Sequence, residues 1–133
     1  MNVDVVIPES ESEAVTAFGD GSDITVIAGG TIVMQLLNYH RFQPAKVLLL
    51  SKAGMSYVNM PVTEKAHAGI HYGGGSITIG ATTPLSDLVG LAPPLGPCAA
   101  NVADKEIRSQ ATLGGNLCSP TPPDHPSGDL QGA

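Results

Sequence analysis

Two short runs of mostly aliphatic residues constrain the fold of this 133-residue chain more than any other feature. They are ITVIA at residues 24–28 and KVLLLS at residues 46–51. Continuous apolar runs of this length are typical of strands that are covered on both faces of a parallel sheet. A further strand is predicted at VDVVIP, residues 3–8, where Pro8 ends it.

Helical patterns separate these three predicted strands. Ser10 and Glu13 have capping-box spacing, which predicts a helix over SESEAVTAF, and the turn residues 19–23 end it. The segment IVMQLLNYH at residues 32–40 has helical apolar spacing. The order β-α-β-α-β over the first fifty residues therefore predicts a small parallel sheet.

The pattern changes after about residue 60. AGIHY at residues 68–72 and SITIG at residues 76–80 flank the glycines at 73–75, which predicts an antiparallel hairpin. Thr83 is predicted to cap a short helix over PLSDLVG that has Pro84 in its first turn.

The remaining residues predict a loop, a helix and then irregular backbone. LAPPLGP at residues 91–97 is the loop, CAANVADKEI at residues 98–107 is the helix, and the irregular part begins at Ser109. The predicted fold class is α+β with two α/β lobes, a parallel one over 1–55 and a largely antiparallel one over 56–133.

Charge and composition exclude several classes of function. The formal net charge is -6 and the six cations are scattered, which argues against a nucleic-acid partner. No apolar run has membrane-spanning length, and the N-terminus lacks the pattern of a signal peptide. The two cysteines and four histidines have no metal-ligand spacing, so we predict no metal site. The lack of a disulfide pattern and of a signal peptide predicts a cytoplasmic location.

The residue pattern also predicts no catalytic side chains. No Ser-His-Asp order, Cys-His pairing or carboxylate pair stands out in the sequence. Any chemistry would therefore come from a bound cofactor.

A pair of glycines, Gly29 and Gly30, joins the second predicted strand to the following helix in VIAGGTIVM. Glycines allow positive φ and close approach of the backbone to a ligand, and unpartnered amide N–H groups beside them bind anions such as phosphate. The alternative is a tight strand-to-helix connection with Thr31 as the cap. Both interpretations are open from the residues alone.

A second pair of glycines occurs in ATLGGN, residues 111–116, between Thr112 and Asn116. A backbone nest for an anion is one interpretation, and a loop turn with Asn116 in a left-handed conformation is the other. A long ligand with a central diphosphate would need donors from both sides of a cleft. Two lobes that each contribute one glycine turn would provide them.

Four segments in this order resemble one known family. They are VIPESESEAVTAF at 6–18, VIAGGT at 26–31, ITIGATTPLSDL at 77–88 and IRSQATLGGNLCSPTPPDHPSGDL at 107–130. The chain is similar to the FAD-binding, or medium, subunit of the molybdenum hydroxylases, which include xanthine dehydrogenase and aerobic carbon monoxide dehydrogenase. The resemblance implies the PCMH-type FAD-binding fold, in which FAD lies between two lobes.

The resemblance also implies which residues contact FAD. In this family the first glycine loop wraps the diphosphate, the second lies against the flavin side, and residues just before the second line the pocket. The residues that match are Val26, Ile27, Ala28, Gly29, Gly30, Thr31, Ile32, Val33, Ala103, Ile107, Ala111, Thr112, Gly114, Gly115 and Asn116. An aspartate after the second loop is the last expected contact; Asp129 is the better match and Asp124 the alternative.

The implied function is electron relay. In this family electrons from a molybdenum-cofactor subunit pass through the clusters of a 2Fe-2S subunit to FAD, and then to NAD, oxygen or another acceptor. The resemblance therefore implies those two subunits as partners, and a flavoprotein component that is inactive by itself.

Three differences from the family pattern bear on this interpretation. Ile32 follows Thr31 where relatives often have a polar residue, Ser109 replaces a common Asn, and the sequence stops at Ala133 where relatives continue. The second lobe is therefore expected to be incomplete. Two alternatives follow: a truncated remnant or interaction module that does not retain flavin, and a binder of another phosphorylated ligand.

Overall fold

The computed structural model describes residues 3–60, residues 76–119 and Leu130. The predicted strand at 68–72, the glycines at 73–75, and both Asp124 and Asp129 lie outside these residues. The described strands are β1 (Asp4–Val6), β2 (Ile24–Ile27), β3 (Lys46–Leu49), β4 (Val58–Asn59) and β5 (Thr78–Ile79). The described α-helices are α1 (Glu11–Phe18), α2 (Val33–Asn38), α3 (Leu95–Asn101), α4 (Lys105–Gln110) and α5 (Leu113–Cys118).

The first three strands form the predicted parallel sheet. Their order is β1-β3-β2, and both outer strands pair with β3 in parallel. Val47 on β3 lies between Val5 and Thr25 in the register. The central strand is the best buried, because Val47 and Leu48 are both buried while the outer strands lie at the edges of the sheet.

The predicted start of α1 is confirmed. The Ser10 hydroxyl accepts a hydrogen bond from the amide N–H of Glu13 at 3.2 Å. The Glu13 carboxylate in turn accepts one from the amide N–H of Glu9 at 2.8 Å, one residue earlier than in a standard capping box. Gly19 ends the helix at φ 59.

The turn after α1 contains an acidic residue with a shifted pKa. The Asp20 carboxylate accepts a hydrogen bond from the amide N–H of Ser22 at 2.9 Å. Because this bond, followed by one from the Ser22 side chain, favours the charged form, the pKa of Asp20 lies below its ordinary value. Both bonds stay within the turn.

The expectation that β2 is covered on both faces is wrong. Val26 in this strand is 39 % exposed, and α2, which follows it, has no buried residue. The reason is the strand order, which places β2 at an edge of the sheet beside the central β3.

The second half contains an antiparallel pair, as predicted for its sheet type. Val58 in β4 pairs with Ile79 in β5. The amide of Thr82 also donates to the carbonyl of Met55 at 2.9 Å, so the pairing extends to the point where the first lobe was predicted to end. The division at residue 55 stays a prediction.

The predicted helix cap at Thr83 is wrong. Residues Leu85–Asp87 form a 3₁₀ turn whose N-cap is Pro84, without a side-chain cap. The Thr83 hydroxyl instead donates to the carbonyl of Tyr57 and accepts from its amide, both at 3.0 Å. Thr83 is 1 % exposed, and a buried hydroxyl requires such partners.

The single helix predicted over residues 98–107 is in fact two helices. Ala103 has φ 44, which interrupts the helix, and Asp104 caps α4 by accepting from the amide of Ile107 at 2.7 Å. The irregular backbone predicted from Ser109 is also wrong up to residue 118, because α4 continues to Gln110 and α5 follows. The residue pattern does not predict that a single alanine adopts the left-handed conformation.

The apolar core of the second half of the chain, called the second core, lies under these helices. Its buried members are Leu85, Leu88, Ala99, Ala111 and Leu130. The described part of the chain contains no helix that is long and apolar enough to cross a membrane.

Candidate functional site

The first glycine segment, defined as residues 28–32, lies at the carboxyl end of β2. Ile27 ends the strand and is buried, and Gly30 has φ 73. This left-handed conformation is one that glycine adopts without steric cost. Ligands of parallel α/β sheets bind at this end of the strands, so the segment is in the position where a binding loop is expected.

The backbone amides of this segment are available. The carbonyl of Gly30 accepts from the amide of Met34 at 2.9 Å, which ties the loop to α2. Within residues 3–60, 76–119 and 130, the amide N–H groups of Gly29, Gly30 and Thr31 donate to no protein group. Three adjacent donors without a protein acceptor are what an anion such as a diphosphate requires.

The interpretation of Thr31 as a helix cap is wrong. The N-cap residue of α2 is Ile32, and no side chain caps this helix. Ile32 is 51 % exposed, and Val33 begins the helix as a half-buried residue. Because the tight-connection interpretation required Thr31 as the cap, the geometry favours the loop interpretation for this segment.

The second glycine segment, residues 112–116, is helical and not a turn. Thr112 is the N-cap of α5, and its hydroxyl accepts from the amide of Gly115 at 3.1 Å. Asn116 lies within the helix, so its predicted left-handed conformation is also wrong. A hydroxyl residue two positions before a glycine pair is compatible with either structure, and the cap bond selects the helix.

Four amides of the second glycine segment, those of residues 113–116, are already used. The amide of Leu113 donates to the carbonyl of Thr83 at 3.0 Å, and that of Gly114 donates to the carbonyl of Ala81 at 2.8 Å. The amide of Asn116 donates to the carbonyl of Thr112 at 2.9 Å. The predicted anion nest is therefore wrong here. Within this segment Gly115 is exposed, and the Oδ1 atom of Asn116 is shielded from solvent.

The two glycine regions lie against each other. A Cβ atom placed on Gly29 would overlap the carbonyl oxygen of Gln110, with the Gln110 carbonyl carbon at 2.8 Å and the Ala111 Cα at 3.1 Å. Gln110 and Ala111 directly precede the second glycine segment. The structure thus brings the first segment into backbone contact with the residues that lead into the second.

The three residues predicted to line the pocket have different surroundings. Ala111 is buried in the second core, and Ile107 packs against that core. Ala103 is exposed at the corner between α3 and α4, where the Arg108 guanidinium donates to the carbonyls of Val102 at 2.9 Å and Ala103 at 2.8 Å. The side chains of Ile107 and Ala111 are thus committed to packing, and a lining role for them would use backbone atoms.

Sequence reasoning missed two features of this region. Thr83 joins Tyr57 to the second glycine segment through its hydroxyl and its carbonyl, and Gln110 presents its carbonyl to Gly29. A threonine within a segment of small residues was a usable signal for a buried hydroxyl. No signal in the residue pattern indicated the carbonyl contact, because backbone groups are common to all residues.

The sequence of the chain matches a known family and a known relative. The family described as "FAD binding domain in molybdopterin dehydrogenase" matches residues 1–131. The carbon monoxide dehydrogenase medium chain of Hydrogenophaga pseudoflava is 29 % identical over 128 residues. That alignment covers 90 % of this chain and 41 % of the relative, so the chain spans about two-fifths of the relative's length.

Solved structures share the fold. A carbon monoxide dehydrogenase from Hydrogenophaga pseudoflava superposes with a TM-score of 0.71 at 24 % identity, over 88 % of this chain and 39 % of that one. Quinoline 2-oxidoreductase from Pseudomonas putida 86 superposes with a TM-score of 0.68 at 21 % identity, over 88 % and 39 %. These similarities confirm the predicted α+β fold class.

Proposed function

Since the chain belongs to the family of FAD-binding domains of molybdopterin dehydrogenases, we propose that it binds FAD at the first glycine segment. The observation that carries the proposal is the set of three amide donors at Gly29, Gly30 and Thr31, at the carboxyl end of a parallel strand. FAD is the cofactor of the family, and its diphosphate is the anion that these donors fit.

The donor set of the chain explains how the diphosphate would be held. The segment from Ala28 to Ile32 contains no cation, so backbone amides have to neutralise the phosphate charge. Gly30 keeps the loop in its left-handed conformation, and the bond from Met34 to the Gly30 carbonyl keeps the loop against α2. Such a preformed set of donors binds an anion without further ordering of the backbone.

The second glycine segment would contact the cofactor through its surface and not through backbone amide donors. The amides of residues 113–116 are used within the protein, so the exposed surface of Gly115 would contact a cofactor. The contacts of Thr112, Gly114 and Asn116 stay predictions. Val26, Ile27 and Val33 belong to the strand and helix that hold the first loop. The contact from Asp129, with Asp124 as the alternative, stays a prediction.

The wider role is part of the same proposal. When bound, FAD supplies one- and two-electron transfer, which fits a relay between 2Fe-2S and molybdenum-cofactor subunits on one side and NAD, oxygen or another acceptor on the other. The carbon monoxide dehydrogenase medium chain that is 29 % identical to this chain supports an enzyme of this kind. The cytoplasmic location stays a prediction.

The proposal is tested by titrating the purified full chain with FAD and following the quenching of flavin fluorescence. Saturable binding that ADP-ribose displaces supports it. A chain that neither quenches FAD nor shows a higher Tm with FAD contradicts it and favours the remnant that does not retain flavin. A chain that binds ADP-ribose and not FAD is a binder of a different phosphorylated ligand.

Two glycine variants locate the site. Gly30→Ala and Gly54→Ala replace glycines with nearly the same φ, 73 and 72. Each should lose about 1–2 kcal/mol of stability, because a Cβ disfavours the left-handed region. Gly30→Ala should also weaken FAD binding at least about tenfold, while Gly54→Ala should not. Equal FAD affinity in both variants would remove the loop from the site.

A further inference from the structure

The backbone conformation of Gly29 does not explain why a glycine occupies this position. It is not among the glycines with positive φ, so an alanine would be free of backbone strain at this position. The direction in which a Cβ would point is instead filled by the Gln110 carbonyl oxygen. Steric overlap with the Gln110 carbonyl, and not the φ angle of Gly29, excludes a side chain at this position.

Neither side of this contact is able to move easily. On one side, Gly29 follows the buried end of β2, and the loop is bonded to α2 through the Gly30 carbonyl. On the other side, the amide of Ala111 donates to the carbonyl of Ile107 at 2.7 Å, and its carbonyl accepts from the amide of Leu85 at 2.9 Å. Close-packed backbone of this kind transmits a displacement and does not absorb it.

We infer that Gly29 is a positioning residue that sets the spacing between the two glycine segments. Its missing side chain lets the free amides of the first segment lie directly beside the residues that lead into α5. A ligand that contacts both segments depends on this spacing, and a ligand that contacts the first segment alone does not. The inference rests on the proposed function for its ligand, and the contact itself is testable without one.

The consequence for ligands separates positioning from stability. FAD extends from the diphosphate to the flavin and would contact both segments, whereas ADP would contact the first. A variant that merely destabilises the fold weakens the binding of both ligands by the same factor. A variant that separates the two segments weakens the binding of FAD more than the binding of ADP.

The test compares Gly29→Ala with Gly90→Ala, a position where a Cβ meets nothing within 4 Å. FAD and ADP dissociation constants are measured on the full chain by calorimetry. Gly29→Ala should raise the FAD dissociation constant at least about tenfold more than it raises the ADP dissociation constant, because overpacking against the Gln110 carbonyl separates the two segments. Gly90→Ala should change neither. Parallel losses of FAD and ADP, or no loss, would overturn the inference.

Two measurements keep the inference open to refutation if FAD does not bind or the variant does not fold. In the wild-type chain, a nuclear Overhauser effect should connect the Gly29 Hα with the Ala111 Hα, and its absence would refute the contact. In folded Gly29→Ala, the Leu85 amide should exchange at least about tenfold faster, because its acceptor on Ala111 is displaced. Unchanged exchange would show that the spacing is set elsewhere, while failure of FAD binding alone would affect only the proposed function.

Discussion

The two glycine segments resemble each other in sequence and differ in what their backbones do. At residues 28–32 a glycine pair forms a loop with positive φ at Gly30. The amides of Gly29, Gly30 and Thr31 in this loop donate to no described protein group. At residues 112–116 the pair lies in the first turn of α5, and the amides donate to protein oxygens. The difference teaches that a glycine pair indicates close backbone packing, and that the hydrogen-bond partners decide whether it also indicates an anion site.

The second segment depends on a threonine from elsewhere in the chain, which gives the largest expected effect. Thr83→Val keeps the shape of the buried side chain and leaves the part-buried amide of Tyr57 without its acceptor. We expect a loss of about 1–3 kcal/mol in the free energy of unfolding, measured by urea denaturation. Thr83→Ser retains the hydroxyl and serves as the control. A stable Thr83→Val variant would show that the second segment is held without this bond.

The glycines within the second segment should respond unequally. A Cβ on Gly114 would lie 2.9 Å from the carbonyl oxygen of Ala81, while one on Gly115 would meet the Thr112 hydroxyl at 2.9 Å. Because backbone yields less than a side chain, Gly114→Ala should lose about 1–3 kcal/mol and Gly115→Ala less than about 1 kcal/mol. Thermal unfolding of both variants measures this. The reverse order would mean that the Thr112 cap bond matters more than the contact with Ala81.

The same substitution in each segment gives the smallest expected effect and the most direct comparison. Thr112 caps α5 with its side chain, whereas no side chain caps α2 beside Thr31. Thr112→Ala should therefore lose about 1 kcal/mol of stability, and Thr31→Ala should lose less than about half of that. Urea denaturation of the two variants under identical conditions gives the difference. Equal losses would contradict the distinction between a capped helix and an open loop.

The first half of the chain was largely predictable from local patterns. Ser10 with Glu13 marked the start of α1, and the aliphatic runs at residues 24–28 and 46–51 marked β2 and β3. The exposure of Val26 was not predictable, because it depends on β2 lying at the edge of the sheet. Local patterns specify an element, and its neighbours specify its burial.

The second half was predicted less well, for a physical reason that particular residues show. Thr83 has the sequence position of a cap and bonds instead to Tyr57, which is 26 residues away. Ala103 adopts φ 44 where the pattern predicts continuous helix, and Arg108 bonds to the carbonyls at that corner. A contact between distant residues overrode local preference at Thr83, whereas the hydrogen bonds at Ala103 come from a residue only five positions later.

The sequence by itself determined the parallel βαβ order, the family, and the candidate loop around Gly29 and Gly30, because periodicity and motif order are local properties. The tertiary structure alone decided which amides are free, since a donor is free only when no distant carbonyl accepts from it. It also decided that Gly29 faces the carbonyl of Gln110. That pairing joins backbone atoms 81 residues apart, and backbone atoms carry no sequence signal.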